Sequence, residues 1–214
     1  MGYTTEKALR LISMASAVRV NERQFPRVHR LMQDACYILD WPDVPEVFVN
    51  QSPILNAGAV GTDKPFVTLN SSLVKSLDDK ALLAVLAHEL AHIMSGHVLY
   101  KTLLGLLLQM VSVAVPVARI ALLGIIAALR EWDRKSELSA DRASLLAVQD
   151  DTAVMSLLMT LAGGADGEMV LEDSLAQAAE YEAGGDMLDS VYKLLNTLFQ
   201  THPFHVVRLK ELKV

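Results

Sequence analysis

Apolar and polar positions change rhythm along this chain of 214 residues, and the changes mark out its elements. Between Pro26 and Asp40, Val28, Leu31, Met32, Ala35 and Ile38 recur at helical spacing, which predicts a helix begun by Pro26 with one apolar stripe on a core. Two short runs rich in β-branched and aromatic residues follow, Pro45–Asn50 and Pro65–Asn70, with Gly58, Gly61 and Asp63 reading as punctuation between them. They predict a small sheet. Everything beyond Leu73 reads as helical, including 152–161, 169–182 and 186–200, with Gly163-Gly164 as a helix terminator. The expected fold is α+β and predominantly α, in one domain over 1–214. Its parts are N-terminal helices (1–44), a small sheet (45–70), a helix (76–100), an apolar helical hairpin (103–129), a further helix (130–148) and C-terminal helices (150–214).

The stretch from Leu103 to Leu129 is almost wholly apolar, and its length alone would permit one membrane crossing. Pro116 and Arg119 fall near its middle, where an arginine costs about 3 kcal/mol on insertion scales, and each half is too short to span. A hairpin is expected instead. Packing on the domain, self-association and dipping into a bilayer all suit it.

Composition narrows the function classes. A net charge of −6 offers no basic patch for nucleic acid, and no glycine-rich phosphate loop appears. Cys36 is the only cysteine, so no internal disulfide forms, and its apolar setting suggests a buried small hydrophobe. The first residues lack the charged start and apolar run of a signal peptide, and Glu6 stands where a myristoylation motif has Ser or Thr. A cytoplasmic setting is expected, with membrane association through 103–129 as the variant.

The candidate chemistry lies in His88-Glu89-Leu90-Ala91-His92, two imidazoles at i and i+4 with a carboxylate after the first. On a helix both rings reach one cation while Glu89 projects beside it. The residues from Ser76 to Asp79 provide a cap and an acidic first turn for that helix. A catalytic zinc takes three protein ligands, so a third must come from elsewhere. His97 is five residues past His92 and about 140° around the helix, which makes it a helix-end or supporting residue. Position 98 is Val, so the three-histidine spacing is absent. Glu137 and Asp141, at i and i+4 in Arg134–Arg142, suit a carboxylate ligand and a hydrogen-bond acceptor for a ligand histidine. A solvated charged face has the same spacing. A single membrane crossing over 103–129 would separate Glu137 from His88 and His92, which one metal cannot bridge.

His-Glu-Leu-Ala-His followed by Ile-Met-Ser-Gly-His97, with Glu137-Leu-Ser-Ala-Asp141-Arg142 about 50 residues on, resembles the HtpX and CAAX prenyl protease family of gluzincin zinc metalloendopeptidases. Asn56-Ala57, the Pro65–Val74 stretch and Thr201-His202-Pro203-Phe204 with Arg208 extend the resemblance over roughly 45–214; Phe204 stands where the family has a second proline. The resemblance implies a zincin-like domain, one Zn²⁺ per chain on His88, His92 and Glu137, and a protein or peptide substrate. Glu89 would be the general base, and Asp141 would support a ligand. It nominates His202 and Arg208 for the oxyanion, or the His202 loop as a latent cover of the zinc, and Asn56 and Ala57 as cleft-rim residues. Strand 65–70 is expected as the exposed edge that binds an extended substrate. Two other classes compete: a non-catalytic zinc-containing scaffold or membrane-associated protein, which would have no use for Glu89, and a zinc hydrolase of small substrates.

Overall fold

The computed structural model describes residues 2–113, 115–164, 168–183 and 205–212. Helix α1 (Gly2–Ser16) leads into strand β1 (Val18–Arg19), helix α2 (Pro26–Ile38) and strands β2 (Val47–Asn50), β3 (Ala57–Val60) and β4 (Phe66–Asn70). Then come α3 (Ser71–Ser76), α4 (Asp79–Met94), α5 (His97–Val113), α6 (Pro116–Val148), α7 (Asp151–Gly163), α8 (Leu171–Ala183) and α9 (His205–Leu212). The predicted helix over 186–200 and the candidate residue His202 lie outside the described residues.

The α+β, predominantly α expectation holds, but the sheet differs in detail. Its order is β1-β2-β4-β3, with β2 and β4 parallel and the other two pairs antiparallel. Strand 65–70 is therefore internal, and the expectation that it is the exposed edge is corrected: the edges are the two-residue β1 and, on the side of β4, β3. The segment Ala57-Gly58-Ala59-Val60 reads as a turn because small residues have little intrinsic strand preference. Pairing supplies what propensity lacks, since Ala57 to Val60 run in register against Leu69 to Phe66.

One core joins the sheet to the helices. The predicted α2 stripe is buried at Val28, Leu31, Met32 and Ala35, and Cys36 adds to it; Ile38, in the last turn, is 39 % exposed and falls outside. Phe48 and Phe66 meet edge to face, with centroids 5.5 Å apart. α4 crosses beneath this layer and is buried from Ala84 through His92.

Two punctuation points set where the metal-motif helix starts and stops. Asp78, rather than Ser76, caps α4 by accepting from the Ala81 N–H at 2.8 Å. Gly96 adopts φ +64, a left-handed conformation that glycine takes without strain, and ends the helix so that α5 leaves at 78°. The second arm of the hairpin and the expected 130–148 helix are one element: α6 runs 33 residues from Pro116. Gly124 is its one glycine, and a single glycine costs about 1 kcal/mol, too little to break it. α6 packs along α4, and the Ser144 hydroxyl donates to the Ala84 carbonyl at 2.8 Å to fix their register.

α1 is tied to the end of the β3–β4 hairpin by one side chain. The Glu6 carboxylate accepts from the backbone N–H groups of Thr62, Asp63 and Lys64 at 2.8–2.9 Å. Burial pushes its pKa up, but these donors outweigh that and hold it below its ordinary value of 4.5. A depressed folded pKa means the tie is fully present above pH 4.5 and weakens as the pH falls through the lower folded value. The protection factors of the α1 amides, taken against their intrinsic exchange rates, should therefore fall on acidification in the wild type, whereas in Glu6→Gln they should be low at neutral pH already. Equal protection in both proteins would dismiss the tie.

Candidate metal centre

The motif residues His88, Glu89 and His92 sit in the last two turns of α4 before Gly96, all buried. Glu137 and Asp141 come from α6, where Arg130, Asp133, Glu137, Asp141 and Ser144 form one buried polar stripe facing inward. Glu137 is 0 % exposed, so the solvated-face reading of this segment does not apply; that role belongs to Glu131, Arg134 and Lys135 on the opposite side.

Three donor groups converge. His88 Nε2 and His92 Nε2 are 3.1 Å apart, His92 Nε2 is 3.3 Å from Glu137 Oε1, and His88 Nε2 is 3.4 Å from Glu137 Oε2. Ligands held tetrahedrally at about 2.0–2.1 Å from a zinc stand about 3.3 Å from one another, so the set fits a single such ion. Among the described residues this is the group of three able to hold a metal.

Each histidine is oriented through its other nitrogen. His88 Nδ1 is 3.1 Å from Asp141 Oδ1, and Arg208, from α9, grips Asp141 with two donors, Nε at 2.7 Å and Nη2. His92 Nδ1 is 3.0 Å from His97 Nδ1, and the His97 ring rests edge-on against Trp132 with centroids 5.2 Å apart. His97 is thus a support at the start of α5, outside the donor set. Both arrangements leave Nε2 aimed at the shared point, as support for a ligand imidazole requires.

The electrostatics follow from this packing. Burial pushes His92 down to about 3, so it is neutral at physiological pH. Burial also disfavours the His88 cation, but Asp141 and Glu137 overcome it and lift His88 to about 9. A metal entering there has to displace that proton. Asp141 is drawn down to about 2 against its burial by Arg208 and His88, and burial lowers His97.

Glu89 belongs to no ligand pair; it lines the cavities on both sides of the histidines. Asn56 and Ala57 line the same cavity as Glu89, at the start of the β3 edge. Arg208 also lines it, but its donors point at Asp141, with Nη1 3.6 Å from Glu137 Oε2. Sequence reasoning missed Lys101, whose ammonium meets Glu137 Oε1 and lies 3.8 Å from Asp133. Its signal was available: it is the one Asp, Glu, Lys or Arg between Glu89 and Arg119, and it is four residues past His97. Ser144 and Asp133 were legible only as further members of the Glu137 stripe.

Fold and donor set together define a zincin-like metallopeptidase domain. The chain belongs to peptidase family M48, whose sequence profile matches residues 22–214. It is 32 % identical over 218 residues to the plastoglobule-localized metallopeptidase 48 of Arabidopsis thaliana, covering 99 % of this chain and 63 % of the plant protein. A Bacillus subtilis protease HtpX homolog is 42 % identical over 80 residues, 36 % of this chain and 26 % of that one. The Methanosarcina acetivorans protease HtpX homolog 2 is 25 % identical over 234 residues, covering 91 % and 74 %. The chain thus spans under two thirds of the plant relative. No solved structure matches it.

Proposed function

We propose that this chain is a zinc-dependent endopeptidase that cuts unfolded or extended protein segments. The carrying observation is the 3.1–3.4 Å spacing of two imidazole nitrogens and one carboxylate, brought together from two helices. Zinc held by His88, His92 and Glu137 would supply Lewis acidity, making water acidic enough to lose a proton near neutral pH and polarising a peptide carbonyl. Glu89 takes that proton as the attack proceeds and returns it to the departing amine, which its position in the cleft outside the donor set suits. Asp141, held by Arg208, keeps His88 in the tautomer that offers Nε2. This geometry supports a positioning role for Arg208. His202 is retained as the oxyanion donor on the resemblance alone.

The edge strand β3 supports the choice of substrate. Its rim residues Asn56 and Ala57 open the cavity beside His88, and Gly58 and Ala59 line the next one along. An extended peptide laid along β3 would pair through main-chain groups and so be selected by lack of structure more than by side chain. Digestion of casein alongside zinc analysis tests the proposal: one zinc per chain and cleavage abolished by chelation are expected. Zinc without cleavage would favour the scaffold reading, and hydrolysis of small esters alone a small-substrate hydrolase.

The hairpin supports a second reading, that this domain rests on a lipid surface. Leu103, Leu106, Met110, Ile120, Leu123 and Ile125 are each more than 40 % exposed, far more apolar side chain than a free surface usually carries in one place. No single helix among the described residues is long and apolar enough to cross a membrane. Between Glu89 and Glu131 the chain has no acidic residue, and Arg119 is exposed among these apolar side chains, which suits anionic headgroups. The protein should float with vesicles containing phosphatidylserine, and Leu106→Asp with Leu123→Asp should keep it in the soluble fraction. Retention of the wild type in solution would exclude this contact.

A further inference from the structure

The cleft along β3 does not end at the metal centre. Three cavities follow this edge in order: the one beside His88 opens at Asn56 and Ala57, the next at Gly58 and Ala59, and a third at Ala59 to Thr62. Glu89 lines the first two, while Ala59, Val98 and Lys101 line both the second and the third, so the three are continuous. The third is larger than either of the others, a groove of about 590 Å³ between β3, α5 and α1. We propose that this groove is a distal subsite, built with α1, that takes a bulky apolar side chain of the substrate, aromatic ones included, about four residues before the bond being cut. The inference rests on the peptidase reading above.

Position, lining and anchoring carry it. Glu89 stands between the first two cavities, which sets the bond under attack opposite Ala57 and Gly58. A segment paired with β3 reaches Gly61 and Thr62 roughly three or four residues further on, about 10–13 Å at the rise of a strand. Antiparallel pairing, the more stable kind, makes these the residues on the N-terminal side of the cut. Leu9 of α1, Val60 of β3 and Val98 and Leu106 of α5 give the groove apolar walls, and a cavity of only about 150 Å³ already admits a benzene ring. Its two charged members are turned to other partners: Glu6 accepts from the N–H groups of Thr62, Asp63 and Lys64, and Lys101 meets Glu137. A charged side chain would lose its water there for little return. The α1 wall is fixed by two side chains one turn apart, since Glu6 accepts from the Lys64 N–H at 2.8 Å and Arg10 donates to the Lys64 carbonyl at 3.4 Å. Leu9, on the turn between them, is left 42 % exposed and has apolar area to bury against a ligand. α1 lies before residues 22–214, which match the family profile, so this wall is additional to the segment that defines the family.

A site cut in casein would be located by mass spectrometry and made as a peptide with two residues before the cut, and as longer ones with five, the fourth being Phe or Ser. The long Phe peptide should exceed both others in kcat/KM by about tenfold, the effect of burying one large apolar side chain. In Leu9→Asp that ratio should fall to near one, whereas Leu9→Met keeps it. Glu6→Gln, which releases α1 from the turn, should lose it too. Amide protection of α1 checks that both Leu9 variants keep the helix docked. For binding without cleavage, labelled Ser-Gly decapeptides carrying a single Phe or none would be titrated onto zinc-loaded Glu89→Gln protein by fluorescence anisotropy, with and without Leu9→Asp. The Phe peptide should bind more tightly, and Leu9→Asp should remove the difference. Equal handling of the Phe and Ser peptides by the wild type, or a preference that survives Leu9→Asp, would overturn the subsite and leave the peptidase reading intact. If nothing is cleaved while the Leu9-dependent binding order holds, the peptidase reading fails and the groove stands.

Discussion

Glu137→Ala loses bound zinc and a large part of its folding stability together. The carboxylate is wholly buried, faces Lys101 and lies 3.6 Å from the Arg208 guanidinium, and its two oxygens face His88 and His92. Removing it takes one of three proposed donors and leaves buried cations without their counter-charge. Breaking a buried ion pair from one side typically costs about 3–5 kcal/mol, a large share of a domain's stability. Glu137→Gln keeps the volume and separates the two effects, since packing survives while the anionic donor does not. Zinc stoichiometry by mass spectrometry and urea denaturation of both variants measure the outcome. Full zinc content in Glu137→Ala would remove Glu137 from the ligand set.

Glu89→Gln has the opposite signature. The residue stands outside the donor triangle and lines the cleft on both sides of it, so the amide should leave zinc content and thermal midpoint unchanged. What disappears is the base. Positioned proton transfer contributes about 10²- to 10⁴-fold, and casein cleavage should fall by that factor. Undiminished turnover would assign the proton to another group.

Much of this centre was legible in the sequence because helical geometry makes it local. His88 and His92 at i and i+4 fix two donors on one face, and Glu137 with Asp141 repeats the device on a second helix. That Asp141 would support a histidine rather than bind followed from the chemistry of ligand imidazoles, and its 3.1 Å contact to His88 Nδ1 fits it. Other features depended on tertiary context. β3 is a strand because β4 lies beside it, which Ala57-Gly58-Ala59-Val60 cannot announce, and so the edge was placed one strand away. Lys101 was hidden in an apolar run where its charge looked incidental, yet the sharp turn at Gly96 swings α5 back until that ammonium meets Glu137. The change of hydropathy at Arg130 reads as a boundary between two elements, yet α6 runs through it. Helix continuity depends on backbone hydrogen bonding and not on hydropathy.

X-ray absorption at the zinc edge on the purified chain measures the centre itself. One zinc per chain is expected, with two imidazole nitrogens and one or two oxygens at about 2.0–2.2 Å and no sulfur. A spectrum free of imidazole scattering, or one unchanged in the Glu137→Ala variant, would contradict a site made by joining α4 to α6.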